Sequence, residues 1–158
     1  EGVDAQLKWP NDVWVKERKL AGILVELVPT KIGTLAIVGI GINVDLTNFQ
    51  ASKIDQSVTT LRRLGALISR DDLVVAVHAS LLKNFEVYFS EGFAPFLDAF
   101  NSAHCLQDRA AILVLGTESQ QGIVRGIDIT GGLRFEQNGA TRIVTSGEVS
   151  LRPLTTEE

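Results

Sequence analysis

Apolar residues alternate at period two near the start of the chain: Val13 and Val15, then Ile23, Val25 and Leu27. Such alternation sets successive side chains on opposite faces of a strand. Glu17-Arg18 reads as a tight connection and Pro29-Thr30-Lys31-Ile32-Gly33 as a turn cluster, with an apolar strand returning from Thr34 to Val44. Gln6 to about Val44 therefore predicts a three-stranded antiparallel meander. Leu46 to Ile54 is polar and aperiodic, a loop long enough to suspect function. Asp55 to Leu64 predicts a short helix closed by Gly65.

Ser69-Arg70-Asp71-Asp72 then opens a helix in the manner of a capping box. Leu73, Val74, Val77, Leu81, Leu82, Phe85, Tyr88 and Phe89 keep helical spacing to about Ser90, and a third helix centres on Phe93, Phe96, Leu97 and Phe100. These aromatic stripes are expected in the core. Near Leu106-Gln107-Asp108 the period returns to two. Ala111–Leu115, Gly122–Ile127, Gly132–Glu136, Ala140–Val144 and Glu148–Leu151 read as five short strands, the pattern of a small barrel. A domain boundary is accordingly expected near residue 106.

Two segments conflict with the β pattern around them. Lys8, Asn11 and Asp12 interrupt the first, and burying an unpaired charge or amide costs several kcal/mol, so they should be paired or meet a ligand. Pro10 fixes its φ, presenting Asn11 and Asp12 from a rigid bend, although a local Asx-turn would satisfy the same residues. Lys19 sits where the hairpin enters its next strand, either as a solvated turn lysine or as a fixed cation for a phosphate or carboxylate. In Gly39-Ile40-Gly41-Ile42-Asn43, glycine weakens a strand unless something approaches the backbone closely; a β-bulge is the other reading. No third glycine or helix follows to make a dinucleotide fingerprint.

Composition narrows the class. With 158 residues, 45% apolar and 22% charged, the chain can build a core. No stretch of about 18 apolar residues predicts a membrane span, and no signal peptide opens the sequence. Met is absent throughout, so the numbering is expected to start inside a longer protein. A net charge of −4 gives no electrostatic footprint for nucleic acid. The single Cys105 excludes an internal disulfide and reads as a small buried apolar side chain, in keeping with a cytoplasmic setting. His78, on the apolar face of its helix, and His104 have no companion Cys and read as structural.

Lys8-Trp9-Pro10-Asn11-Asp12 followed by Arg18-Lys19-Leu20-Ala21-Gly22-Ile23-Leu24-Val25-Glu26, with the Gly39/Gly41/Asn43 strand, resembles the second half of the catalytic domain of biotin protein ligases. The resemblance implies an α+β fold: part of a class II synthetase-like biotin/lipoate ligase domain over 1–106, an antiparallel sheet with helices, then a small Src-homology-3-like β-barrel over 107–158. It implies ATP-dependent activation of biotin to biotinyl-5′-AMP, then transfer to a lysine of a biotin carboxyl carrier protein, a subunit of acetyl-CoA carboxylase. Lys19 resembles the lysine that contacts biotin and the α-phosphate. Asp12 resembles the Mg²⁺-holding aspartate, Asn11 the residue that positions the reacting groups, and Asn43 the adenine contact. Gly39, Gly41 and Leu24 fall on the strands under biotin, and Lys8 is either phosphate-facing or structural. Glu148 and Arg152 resemble a pair in the family's terminal barrel.

The family's earlier Gly-Arg-Gly-Arg-x-Gly-Arg loop has no match in this sequence, nor has the DNA-binding domain of some members. Little or no ligase activity is therefore expected of residues 1–158 alone, and uncovered apolar surface could support a homodimer. The alternatives are lipoate–protein ligase chemistry, a non-catalytic carrier-binding module, or a barrel adaptor of unrelated function.

Overall fold

The computed structural model describes residues 3–45, 57–145 and 149–154. Two compact units form: residues 1–7 with 11–68, and residues 8–10 with 69–158. The sheet begins at β1 (Gln6–Lys8), followed by β2 (Asp12–Val15), β3 (Arg18–Thr30) and β4 (Gly33–Ile42), hydrogen-bonded in chain order. The meander is thus four-stranded rather than three, because Gln6–Lys8 pairs as a strand of its own. The β2–β3 connection is the two-residue turn Lys16-Glu17, both residues at positive φ (48° and 61°). That is the type I′ geometry whose twist matches a hairpin.

One irregularity in this sheet decides the site. Asp12 faces Gly22 and Val13 faces Ala21, but Trp14 faces Lys19, so Leu20 is an extra residue on β3. Lys19 and Gly22 are three apart and in a regular strand would point to opposite faces. The bulge adds one residue, reverses that parity and re-aims Lys19 toward the face of Asp12 and Gly22. Leu20 and Ala21 are both buried across it.

Residues 57–64 are not the expected helix. Val58 forms a parallel bridge with Lys19, Thr59 and Thr60 are buried, and residues 61–65 make a turn ending at Gly65 (φ 84°). Backbone groups of Lys19 left open beyond the end of β4 take this segment as an extended partner instead. Asp55 and the loop from Leu46 to Ile54 lie outside the described residues.

The second unit contains α1 (Arg70–Glu91), a single 3₁₀ turn (Ala94–Phe96), α2 (Leu97–Ala103) and strands β5 (Ala110–Leu115), β6 (Glu118–Ile127), β7 (Leu133–Gln137), β8 (Ala140–Val144) and β9 (Val149–Pro153). Ser69 caps α1, its hydroxyl accepting from the Asp72 N–H at 3.1 Å. The strands form one antiparallel sheet in the order β8-β7-β6-β5-β9, giving the α+β fold its terminal all-β part. Leu113, Val124, Leu133, Phe135 and Leu151 are fully buried within it, and Phe93, Leu97 and Phe100 pack against that core. The helices thus fall in the same compact unit as these strands.

The aromatic stripe of α1 is not core. Phe85, Tyr88 and Phe89 are exposed and no α1 residue is fully buried, because among the described residues nothing packs over that face. His78, expected on an apolar face, is likewise exposed on α1. Cys105 is half-buried against the core.

Candidate functional site

On one face of the first unit, the β3–β4 register places Gly22 opposite Gly41 and Leu24 opposite Gly39. Alternate residues of a strand share a face, so these four positions form a contiguous patch with three of its four side chains missing. The pairing through Gly39 and Gly41 is regular, which removes the bulge reading for these glycines. A Cβ built on either would come no closer than 3.9 Å to other atoms of the described residues. Packing among the described residues therefore does not demand glycine there, and the strand lies bare beneath open space. That space is an open depression of about 470 Å³, whose lining includes Asn11, Asp12, Lys19, Gly22, Leu24 and Gly39.

Charge stands at the rim of this floor. Lys19 Nζ lies 2.6 Å from Asp12 Oδ1, with both side chains mostly covered (25% and 12% exposed). Short charge-assisted contacts out of bulk water are strong and directional. The lysine backbone is fixed from several directions. Its N–H donates to Ser57 O (2.9 Å), while its carbonyl accepts from Thr59 N–H (2.9 Å) and from Asn43 Nδ2 (3.3 Å). A cation on so constrained a base is preorganised for an anionic group, which a solvated turn lysine is not.

Asn11 makes no local Asx-turn: its Nδ2 donates to Ile23 O at 2.7 Å, and its carbonyl accepts from Ile23 N–H at 2.8 Å. It ties the bend to β3 and lines the depression. Asn43 is half-buried just past β4, bound through its side chain to Lys19 and through its N–H to Leu20 O. It does not line the depression.

Lys8 is buried and belongs to the second unit, as do Trp9 and Pro10. There the Trp9 N–H donates to His104 Nε2 at 3.2 Å and the Trp9 indole to Gly131 O at 3.1 Å. Burial, then the charge of Lys8, lowers the pKa of His104 from 6.5 to about 4. His104 is thus a neutral acceptor locking the Lys8-Trp9-Pro10 segment, the structural role expected of it. Arg152 is exposed on β9 opposite Ile112, and Glu148 lies outside the described residues.

Gly22 is the site residue that sequence reasoning passed over. A Cβ there would lie 3.1 Å from Lys19 Cε, 3.2 Å from Lys19 Nζ and 3.5 Å from Asp12 Oδ1. Its signal was its place opposite Gly41, visible once the β3–β4 register is known.

An antiparallel sheet followed by helices and a five-stranded terminal sheet is a fold shared with biotin protein ligases of solved structure. An apo biotin protein ligase from Aquifex aeolicus superposes with a TM-score of 0.82 at 30% identity, over 95% of this chain and 66% of that one. The Aquifex enzyme in complex with biotin and ATP gives 0.80 at 29% identity, over 95% and 62%. Residues 1–43 match the biotin/lipoate A/B protein ligase family and residues 111–152 the biotin protein ligase C-terminal domain.

The chain belongs to the biotin protein ligase family. It is 37% identical to the bifunctional ligase/repressor BirA of Escherichia coli, over 93% of this chain and 46% of that protein. Against the biotin–[acetyl-CoA-carboxylase] ligase of Mycobacterium tuberculosis the identity is 31%, over 90% and 52%. The chain thus spans about half the length of these curated relatives.

Proposed function

We propose that this chain carries the C-terminal portion of a biotin–protein ligase, with residues 1–106 belonging to the catalytic domain and 107–158 forming the small barrel domain. The observation that carries the reading is the Lys19 ammonium, 2.6 Å from Asp12, beside a floor of Gly22, Gly39 and Gly41. A flat bicyclic ring fits against bare backbone, and Leu24 offers the apolar contact. Support comes from relatives named for biotin ligation to acetyl-CoA carboxylase and from a neighbour holding biotin and ATP.

The reaction has two steps. The biotin carboxylate attacks the α-phosphate of ATP, forming the acyl-phosphate bond of biotinyl-5′-AMP as pyrophosphate departs. The ε-amine of a carrier-protein lysine then attacks the acyl carbon, forming the amide, releasing AMP and losing its proton to solvent. Both transition states gather negative charge on oxygen, which a fixed cation stabilises without reorganising. Lys19 supplies that cation, Asn11 braces the bend that bears Asp12, and Asn43 holds Lys19 from behind while offering an amide for a base.

No group of three or more metal-ligating side chains occurs among the described residues. The donor set here is one carboxylate, which fits a Mg²⁺ ion that arrives with nucleotide phosphates rather than one caged by protein. Asp12 would hold it, and the ion would neutralise phosphate charge. The acceptor is a biotin carboxyl carrier protein, the setting is the cytoplasm, and self-association as a homodimer accompanies the exposed apolar strands. With a net charge of −4, this segment presents no case for binding nucleic acid.

Calorimetric titration of biotinyl-5′-AMP into the purified chain, beside Lys19→Ala, tests the reading. Binding that the variant weakens about tenfold or more, while keeping a measurable affinity, is expected. Equal binding by both, or displacement by lipoate as readily as by biotin, would overturn it.

A further inference from the structure

We infer that Gly22 is a positioning residue: its missing side chain holds open the place in which the Lys19 ammonium rests against Asp12. The inference deepens the reading of Lys19 as the anion-binding cation and rests on it. Three observations converge. The β3 bulge at Leu20 turns Lys19 onto the face of Gly22, and the register sets Gly22 directly opposite Asp12, so all three share one small area. The ion pair closes at 2.6 Å across that area. A methyl at position 22 would stand 3.1–3.2 Å from the last two heavy atoms of the lysine and 3.5 Å from the carboxylate oxygen.

The two lysine separations are tighter than carbon normally tolerates and fall on the flexible end of a side chain, whereas 3.5 Å to the carboxylate oxygen is ordinary contact. The backbone of Lys19 is held by Ser57, Thr59 and Asn43, so the strain is relieved at the ammonium alone. Alanine at 22 would therefore leave the sheet intact and displace the charge by a few tenths of an ångström. Neither Gly39 nor Gly41 acts this way, since a Cβ on either stays at least 3.9 Å from other atoms of the described residues.

A positioning role and a role as bare floor both predict weaker ligand binding on substitution. They differ in whether the effect passes through Lys19. Gly22→Ala should weaken biotinyl-5′-AMP binding about tenfold in the otherwise unchanged chain, and less than about twofold in a Lys19→Met background, where no charge remains to misplace. An equal loss in both backgrounds would mean that the methyl meets the ligand itself, and would overturn the inference.

A second measurement needs no ligand. Urea unfolding of the Lys19→Met, Asp12→Asn and double variants gives the coupling between the two side chains, a factor of up to about five in the unfolding constant for a partly covered pair. Repeating the cycle with alanine at 22 should lower that factor measurably. A coupling left unchanged would overturn the inference. If the unmodified chain fails to bind biotinyl-5′-AMP, the functional reading falls, and the unfolding cycle still decides the role of Gly22.

Discussion

Acidification from neutral pH toward 4 should destabilise the second unit chiefly through His104. The ring is 4% exposed, lies against Phe100 at 5.8 Å between ring centroids, and uses Nε2 to accept the Trp9 N–H. Nδ1 is buried with no hydrogen-bond partner among the described residues. A protonated imidazole could not accept from Trp9 and would place a charge beside Lys8, so burial and that lysine lower the pKa from 6.5 to about 4. Because the folded value is the lower one, the unfolded chain takes up the proton first. Stability is present in full above pH 6.5 and is lost as the pH falls toward 4.

A difference of about 2.5 pH units, at 1.36 kcal/mol each, is worth about 3 kcal/mol in total and about 2 kcal/mol at pH 5. The assay is urea unfolding followed by tryptophan fluorescence between pH 4 and 8, with His104→Gln for comparison. The glutamine amide oxygen can accept from the Trp9 N–H and does not titrate. The difference in stability between the two proteins should change by about 2 kcal/mol between pH 7 and 5. A parallel decline in both would refute the assignment to His104.

Gly122→Ala should cost about 2–3 kcal/mol, because a Cβ there would meet the Glu136 carbonyl and lie 2.6–2.7 Å from the Phe135 ring; thermal unfolding would read it as a lowered Tm. Replacing Lys16-Glu17 by Asn-Gly should stabilise the hairpin by about 0.5–1 kcal/mol, since residues suited to positive φ take over the turn, and a chemical-denaturation midpoint that falls would contradict this. Residues 1–158 alone should show little or no transfer of biotin to a carrier protein, and a sustained rate from the purified chain without added polypeptide would contradict that expectation.

Much of the fold could be read from side-chain period. The five terminal strands lie within a few residues of where alternation sets them, and Ala140–Val144 coincides at both ends. That Asp12 must find a partner or a ligand was legible from its place in an apolar strand; that Lys19 is the partner was not. What escaped depends on partners rather than on local pattern. Residues 57–60 carry no strand signal of their own and become extended because Lys19 offers backbone groups to bond. The Lys16-Glu17 turn contains none of the Gly or Asn that its geometry favours. The bulge at Leu20 hides inside a seemingly regular run, so neither the facing of Lys19 nor the part taken by Gly22 follows from counting by twos. The exposure of Phe89, at the end of an amphipathic stripe, depends on what else is present to cover it.

The β3–β4 ribbon has a consequence for how this polypeptide behaves in solution. From Ile23 to Val28 one acidic residue, Glu26, interrupts a run of branched aliphatics, and Leu24, Val25, Leu27, Leu35 and Ile37 are exposed on both faces. Beyond Ile23 the side of β3 away from β4 has no partner strand among the described residues. A flat, greasy strand with open amides is a template on which other chains can add. The ribbon is therefore this chain's clearest surface for self-association, Glu26 is the one charge between Ile23 and Val28, and Glu26→Gln should lower solubility without unfolding the sheet.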